Sequence, residues 1–463
     1  SNNNLIGNHL MLERISKFFQ RDKSSKSASG PMIFGDGQHC LSADMINRDA
    51  YKVVDVLQKA GFEAYVVGGC VRDLLIGLKP KDFDVATSAK PYEVKELFRR
   101  SRIIGRRFQI VHVQFSREII EVTTFRSNSS QTTSKNRRQQ TDSGMLTRDN
   151  VFGTVEEDAS RRDLTVNALY YDPSTNSIHD FTNGIDDMDA KVIRIIGDPE
   201  TRFREDPVRL LRVARFAAKL GFDIEPATAN PMKHRAADLQ QVSPPRLFDE
   251  TLKLFMSGQG LDTFKILVEH GLFDYIVPQL GPMLNDRQGL PMKLVSQALI
   301  NTDKRIQASQ RVTPAFIYAA LLWPAVQRLA SNFEKNGNSP PYALNKAAGE
   351  IILNQIPVTA IPKRFSIPMR EIWDLQLHLR RRGGNRAQRL VEHPRFRAAY
   401  DFVLLREQAG EDLDGLGAWW TAYQDANHES RQTMADDVMA TDRGPKKRRR
   451  RRNSPRPKTD PAQ

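Results

Sequence analysis

The chain carries 463 residues, 40% of them hydrophobic, with a formal net charge of +14 and two cysteines. That length exceeds what one hydrophobic core supports and predicts roughly two to four domains, while Cys40 and Cys70 exclude a disulfide framework or zinc-ligand spacing and point to a reducing, cytoplasmic compartment. No run of about 18 apolar residues is present, which excludes an ordinary membrane span, and Ser1 to Gly7 lacks the charged and apolar pattern of a secretion signal.

The positive charge is concentrated at one end. Between Arg443 and Lys458 stand ten basic residues and no acidic one, so most of the +14 belongs to a tail and the body is only mildly basic.

In chain order, residues 1–46 read as a flexible lead-in with a short helix around Leu10 to Phe19. Between Arg48 and Lys59, Ala50, Val53, Val54 and Leu57 recur at helical spacing, with Gly61 as the stop. Ala64 to Val67 and Phe83 to Ala86 are apolar runs of strand character. The segment between them, beginning Gly68-Gly69-Cys70-Val71-Arg72-Asp73, reads as a Gly-rich turn and short helix joining two strands. Alternation along a strand puts Asp82 and Asp84 on one face, with Phe83 turned to the core. Two carboxylates side by side repel each other unless a cation sits between them, and a hard divalent ion such as Mg²⁺ suits oxygen ligands. Gly68 and Gly69 let the backbone approach a ligand, the N–H groups that follow suit phosphate oxygens, and Arg72 adds a cation.

Further on, Pro91 to Arg100 reads as a helix and Ile110 to Phe115 alternates as a strand. Glu118 to Arg126 gives another strand, with Glu121 on a different face from Ile120 and Val122. Glu121 either joins the Asp pair as a third carboxylate or pairs with Arg106, Arg107 or Arg126. Ser127 to about Ser160 is polar without periodicity and reads as a long functional loop. In Arg161-Arg162-Asp163, the Arg162 guanidinium suits a triphosphate and Asp163 could complete the carboxylate set. Thr201 to Leu220 reads as one helix stopped by Gly221, placing Asp206 and Arg209 on one face, where an intrahelical ion pair is the ordinary outcome. Arg212 and Arg215 extend that basic face. From there to about residue 425 the patterns are helical, with Pro244-Pro245 and Pro340-Pro341 at connections. Arg380, Arg381, Arg382, Arg386 and Arg389 carry one sign of charge, which suits a phosphate backbone. The tail over 426–463 has too little apolar surface to fold alone and would steer polyanions by salt-sensitive attraction.

Taken in this order, the Gly68–Asp84 stretch, Arg161-Arg162-Asp163 with Thr165, Asn167 and Ala168, and Glu205-Asp206-Pro207-Val208-Arg209 resemble the signature of the polymerase β-type nucleotidyltransferases. The branch is the one containing bacterial poly(A) polymerase and CCA-adding tRNA nucleotidyltransferase. Cys70 stands where the family usually has a smaller residue. The resemblance implies an α+β fold, with a polymerase β-like nucleotidyltransferase head (mixed sheet with helices) over 47–185, an all-α neck over 186–275, an all-α body over 276–425 and a disordered Arg/Lys-rich tail over 426–463. It implies a mobile loop near the active site after Ser127. It also implies catalysis and metal ligation by Asp82 and Asp84, with Asp163 as third catalytic carboxylate ahead of Glu121. Nucleotide binding falls to Gly68, Gly69, Arg72, Arg162 and Arg215, and base reading to Asp206 and Arg209.

The implied reaction is two-metal transfer of AMP from ATP to RNA 3′ ends with release of pyrophosphate, using Mg²⁺ or Mn²⁺ and promoting RNA decay. Its partners would be mRNA, small RNAs and RNA-decay proteins, and the enzyme would be a monomer. CCA addition to tRNA is the alternative. The Ile103 to Val113 segment, the extent of the resemblance from Gln38 to about Trp420 and the basic tail favour the poly(A) branch. A non-catalytic RNA-binding scaffold is the reading from another class.

Overall fold

The computed structural model describes residues 31–105, 109–116, 118–127, 139–140, 146–148 and 151–442. The helix expected around Leu10 to Phe19, Arg106, Arg107 and the basic tail from Arg443 lie outside the described residues. The chain divides into two compact units, one comprising Ser1–Pro282, Leu299–Val312 and Asn354–Ile361, the other Met283–Ala298, Thr313–Leu353 and Pro362–Gln463. The regions expected as head and neck therefore share the first unit.

That unit is built on an eight-stranded sheet. Its strands are β1 (Met32–Phe34), β2 (Ala64–Val67), β3 (Asp84–Thr87), β4 (Ser101–Ile104), β5 (Ile110–Gln114), β6 (Ile119–Thr124), β7 (Leu169–Asp172) and β8 (Ser177–Asp180). Their spatial order is β1-β8-β7-β2-β3-β6-β5-β4. Neighbours run antiparallel except β3 and β6, which are parallel, so the sheet is mixed as expected. Alternation decides the faces: Val111 and Val113 of β5 and Ile120 and Val122 of β6 are buried, while Glu121 between them is exposed.

Helix α1 (Arg48–Lys59) starts where the Asn47 side chain accepts hydrogen bonds from the Asp49 and Ala50 N–H groups, and it buries Ala50, Val53, Val54 and Leu57. Helix α2 (Gly69–Leu75) follows β2 directly. Helix α3 (Pro91–Leu97) stops short of Arg100 because Phe98 is already extended and Ser101 opens β4.

Three expectations are corrected. Within the stretch read as a loop from Ser127 to Ser160, helix α4 (Val155–Arg161) forms on a capping box: the Thr154 hydroxyl accepts from the Glu157 N–H and the Glu157 carboxylate accepts from the Thr154 N–H. The single helix expected over Thr201 to Leu220 is two, α5 (Pro199–Glu205) and α6 (Val208–Leu220). Pro207 disfavours the helical region for the residue before it, and Asp206 accordingly sits extended at φ −150°, ψ 95°. Pro244 and Pro340 do not lie in connections; they open helices α7 (Pro244–Phe255) and Pro340–Gln355, where a missing N–H leaves no bond unmade. A short parallel pair, Val192–Ile193 with Asp223–Ile224, also interrupts the otherwise helical neck.

The second unit is helical. Its packing is fixed by two fully buried tryptophans: Trp373 donates its indole N–H to the Ala319 carbonyl and Trp420 to that of Leu379, both at 3.1 Å.

Asp180, only 1% exposed, accepts from the N–H groups of Thr182, Gly184 and Ile185 at 2.9–3.0 Å and closes the turn that follows β8. Asp180→Ala orphans these buried donors and is expected to cost about 1–3 kcal/mol in denaturant unfolding, with Asp180→Asn losing less because an acceptor remains.

Candidate active site

Between β2 and α2 the chain turns through Gly68 at φ 78°, ψ −132°, a conformation reserved for glycine. The Gly68 N–H is tied to the Leu169 carbonyl at 3.1 Å. A Cβ there would stand 3.3 Å from the Arg162 guanidinium and 3.5 Å from the Asn167 carbonyl, and one on Gly69 would stand 3.3 Å from that of Arg72. Both glycines thus lie directly against cationic side chains. Arg72, however, is 2% exposed. It donates to Asp73 at 2.9 and 2.5 Å and to the Asn167 side chain, and its plane lies 4.9 Å from the Phe216 ring centre. It holds the turn from inside, its guanidinium engaged by Asp73 and Asn167.

The carboxylates meet by sheet register. Asp82 is exposed just before β3, Phe83 is half-buried, and Asp84 opens the strand. Asp84 pairs with Glu121 on β6, Glu121 with His112 on β5, and His112 with Arg102 on β4. Side chains paired across a sheet share a face, so these four form one polar row. Burial pushes the Asp84 carboxyl up to about 6, with the Glu121 charge adding to the shift, Arg162 opposing it and Asp82 adding again. His112 Nε2 lies 3.3 Å from the Glu121 carboxylate. An excess of negative charge around a half-buried carboxyl is the environment a divalent cation relieves. Among the described residues no three His, Cys, Asp or Glu side chains converge closely enough to hold an ion by themselves.

Arg162 follows α4 and packs over the Tyr170 ring. It donates to the Tyr170 hydroxyl at 2.8 Å and to Asp158 at 3.3 Å, and Tyr170 in turn donates to Asp158 at 2.7 Å. Burial would lower its pKa, but Tyr170 and Asp158 outweigh that and raise it. Thr123, Arg126, Asp158, Arg161 and Arg162 line a cleft of about 210 Å³. Arg202 of α5 donates to the main-chain carbonyls of Arg161 and Arg162 at 2.5 and 2.7 Å, so the neck sets the shape of this arginine turn.

Asp163 does not stand with the Asp82–Asp84 pair in these contacts. It accepts from Arg212 at 2.5 Å and from Asn167 at 3.4 Å. Burial alone would raise its carboxyl, yet Arg212 holds it well below the usual carboxylate range. Glu121 thus stands beside Asp84 in the sheet, and Asp163 anchors the Arg212 guanidinium. Arg215, one turn beyond Arg212, is half-buried with its guanidinium 4.8 Å from the Phe216 ring centre, and burial together with the like charge of Arg212 lowers its pKa.

Asp206 and Arg209 each engage partners outside their i, i+3 spacing, and the Val208 N–H at the start of α6 donates to Asp206 at 3.4 Å. Asp206 accepts two parallel hydrogen bonds from Arg246 of α7, both 2.8 Å, while Arg209 donates to Glu205 at 3.0 Å and to the Arg202 carbonyl at 2.8 Å. In the second unit, the helix Lys363–Arg380 ends at Arg380, Gly384 turns the chain at φ 58°, and Asn385–Val391 follows. Arg380, Arg381, Arg386 and Arg389 are exposed, and Arg382 lies 5.1 Å from the Trp419 ring centre.

Sequence reasoning missed Asp158, Tyr170, His112 and Arg246, and placed Asn167 in a motif without giving it a role. Asn167 carries a signal, standing four residues after Asp163. Arg246 carries none, since only the fold brings it to Asp206.

Residues 64–194 match the family model "Poly A polymerase head domain", 221–284 "Probable RNA and SrmB- binding site of polymerase A" and 336–454 "Polymerase A arginine-rich C-terminus". Poly(A) polymerase I of Haemophilus influenzae is 43% identical over 418 residues, covering 89% of this chain and 92% of the relative. The CCA-adding enzyme of Lactobacillus helveticus is 32% identical over 322 residues, covering 67% and 78%. A solved CCA-adding enzyme in an apo form shares the fold, with a TM-score of 0.55 at 17% identity over 86% of this chain and 97% of that one.

The raised Asp84 carboxyl has a measurable consequence in the metal-free protein. Its folded pKa of about 6 lies above the ordinary 3.8, so ionised Asp84 destabilises the fold at neutral pH; that cost fades as pH falls through 6 and is gone below about 4. Asp84→Asn is expected to unfold at higher denaturant than the parent at pH 7.5, by up to about 3 kcal/mol, with the difference shrinking at pH 5.

Proposed function

The chain belongs to the bacterial poly(A) polymerase family, polynucleotide adenylyltransferases that extend RNA without a template, and from that premise we propose that Asp82, Asp84 and Glu121 are its catalytic carboxylates. The observation that carries this reading is the in-register pairing of Asp84 with Glu121, with Asp82 adjacent and Arg162 opposing their charge. The family uses a nucleotide and a divalent metal. These carboxylates suit such an ion, Mg²⁺ with Mn²⁺ as a substitute, because Arg162 offsets only part of their mutual repulsion. When bound, it would lower the pKa of the RNA 3′-hydroxyl and neutralise charge on the departing pyrophosphate.

The remaining work falls to this chain's own residues. Gly68 and Gly69 allow the phosphates of ATP to approach the start of α2, and Arg162, Arg161 and Arg215 supply positive charge around them. Asp163 keeps Arg212 in place beside Arg215. Asp206 accepts from the adenine amino group and Arg209 donates to a ring nitrogen, which replaces a template strand. The exposed Arg380, Arg381, Arg386 and Arg389 hold the RNA backbone, and the Arg443–Lys458 tail draws in RNA ends. No helix among the described residues is long and apolar enough to cross a membrane.

The test offers a short unstructured RNA, and separately a tRNA lacking its terminal CCA, with ATP alone, CTP alone or both. Long ATP-dependent tails on the unstructured RNA are expected, whereas addition that stops after C, C and A on tRNA alone would assign CCA addition. Asp82→Asn with Asp84→Asn should abolish AMP incorporation while RNA still binds in a filter assay. Glu121→Gln should lower kcat roughly 10–100-fold, and Asp163→Asn should act mainly through KM for ATP.

A further inference from the structure

In the second unit a cleft of about 210 Å³ opens between the helices Pro340–Gln355 and Lys363–Arg380, lined by Pro341, Asn345, Asp374, Leu377, His378 and Arg381. The surface around it is basic, with Arg380 and Arg381 exposed, yet the cleft itself holds an acid, the half-buried Asp374. An acid on a helix ordinarily pairs with a cation one turn away. Asp374 has two such neighbours, Arg370 and His378, and among the described residues neither closes a hydrogen bond or an ion pair with it. Burial pushes its carboxyl up, with the charges of Arg370 and His378 opposing. Arg370 donates instead to the Asn345 side-chain oxygen at 3.2 Å.

Resting on the RNA-holding role given above to the arginines of this unit, we propose that the cleft is a subsite for one adenine base of the RNA strand. Because Arg370 occupies the Asn345 oxygen, the amide NH₂ is the end left to donate. The cleft therefore offers an acceptor, the Asp374 carboxylate, and a donor, the Asn345 amide, between the apolar walls of Pro341 and Leu377. Adenine presents the complement on one edge: an amino group that donates beside a ring nitrogen that accepts. Cytosine presents the same pair on a smaller ring, which buries less against the apolar walls. Uracil and guanine present a carbonyl beside a ring N–H, so each group would meet its like. The exposed His378 and Arg381 stand at the same cleft for the flanking phosphates.

Charge also selects the ligand. A metal ion would find one carboxylate with Arg370 and Arg381 near it, and an acidic peptide would set its own carboxylates against Asp374. A nucleotide instead puts its phosphate on the arginines and its amino group on the acid. The cleft is smaller than the roughly 300–1,000 Å³ that encloses a drug-sized ligand, and it takes one base at a time. An enzyme that adds adenosine would thus hold its own product better than the RNA it began with.

The experiment measures the affinity of the full chain for oligo(A), oligo(C) and oligo(U) of one length by fluorescence anisotropy, without nucleotide and at one salt concentration. Parent, Asp374→Ala, Asn345→Ala and the combined Arg380→Ala, Arg386→Ala, Arg389→Ala variant are compared. Expected is tighter binding of oligo(A) than of oligo(U) by the parent, and a fall of roughly five-fold or more in that ratio for Asp374→Ala and for Asn345→Ala. A merely solvated acid predicts the opposite sign, because removing its charge from a basic surface raises affinity for all three oligomers alike. That result, an unchanged ratio in either cleft variant, or a parent without preference for oligo(A) would overturn the inference. Should Asp374→Ala not fold, Asn345→Ala, at an exposed position, decides alone by the same ratio. The combined arginine variant should lose affinity for all three oligomers alike. Unchanged affinities there sink the RNA-holding reading and the cleft with it, whereas an unmoved ratio in the cleft variants beside that uniform loss sinks the cleft alone.

Discussion

Repulsion between neighbouring carboxylates organises one face of the sheet. Asp84 and Glu121 are paired across the parallel β3–β6 contact, so backbone hydrogen bonding forces two acids together that would otherwise separate. The register that does this is set by burial of Val85, Ile120 and Val122 on the opposite face, and a slip of one residue would send those apolar side chains into solvent. The hydrophobic core thus imposes an electrostatic strain at the surface of the sheet. Arg162 offsets part of it, and the remainder is what makes the site receptive to a cation.

Around this face the arginines divide by partner. Arg72, Arg202 and Arg212 are engaged by Asp73, Glu205 and Asp163, and two of them also bind the loop elements they support. Breaking such a pair leaves a charge without compensation, at about 3–5 kcal/mol when it is fully buried. They are structural struts of the pocket. Arg162 and Arg215 sit beyond them, one over the Gly68 turn and the other on the Phe216 ring. Arg202 links the layers, because it hydrogen-bonds the Arg161 and Arg162 carbonyls from the same short helix that ends in Glu205 and Asp206. The Arg161–Arg162 turn and the Glu205–Asp206 corner are therefore joined by one side chain.

Elements with a strong local signal were legible in the sequence. Helix α1 occupies the residues its apolar spacing marks, and β2, the Gly68 turn and α2 follow in the order the composition indicates. The motif order also pointed to the family before any fold was known. Where reading failed, a specific local term had been overlooked: the Thr154–Glu157 capping box that makes α4, and the conformational restriction Pro207 places on Asp206.

What the sequence by itself determined was the set of chemical groups and the short-range geometry they require: two aspartates one residue apart, glycines for a turn at positive φ, and arginines near them in the motifs. Local spacing cannot say which of several like residues meet across the fold. Only the tertiary structure decided that Glu121 joins Asp84 while Asp163 turns to Arg212, that Arg72 faces inward, and that Arg246 reaches Asp206 while Arg209 reaches Glu205. The physical reason is range. Propensity, capping and alternation act over a few residues, whereas charge pairing is settled by strand register and helix packing between segments far apart in the chain.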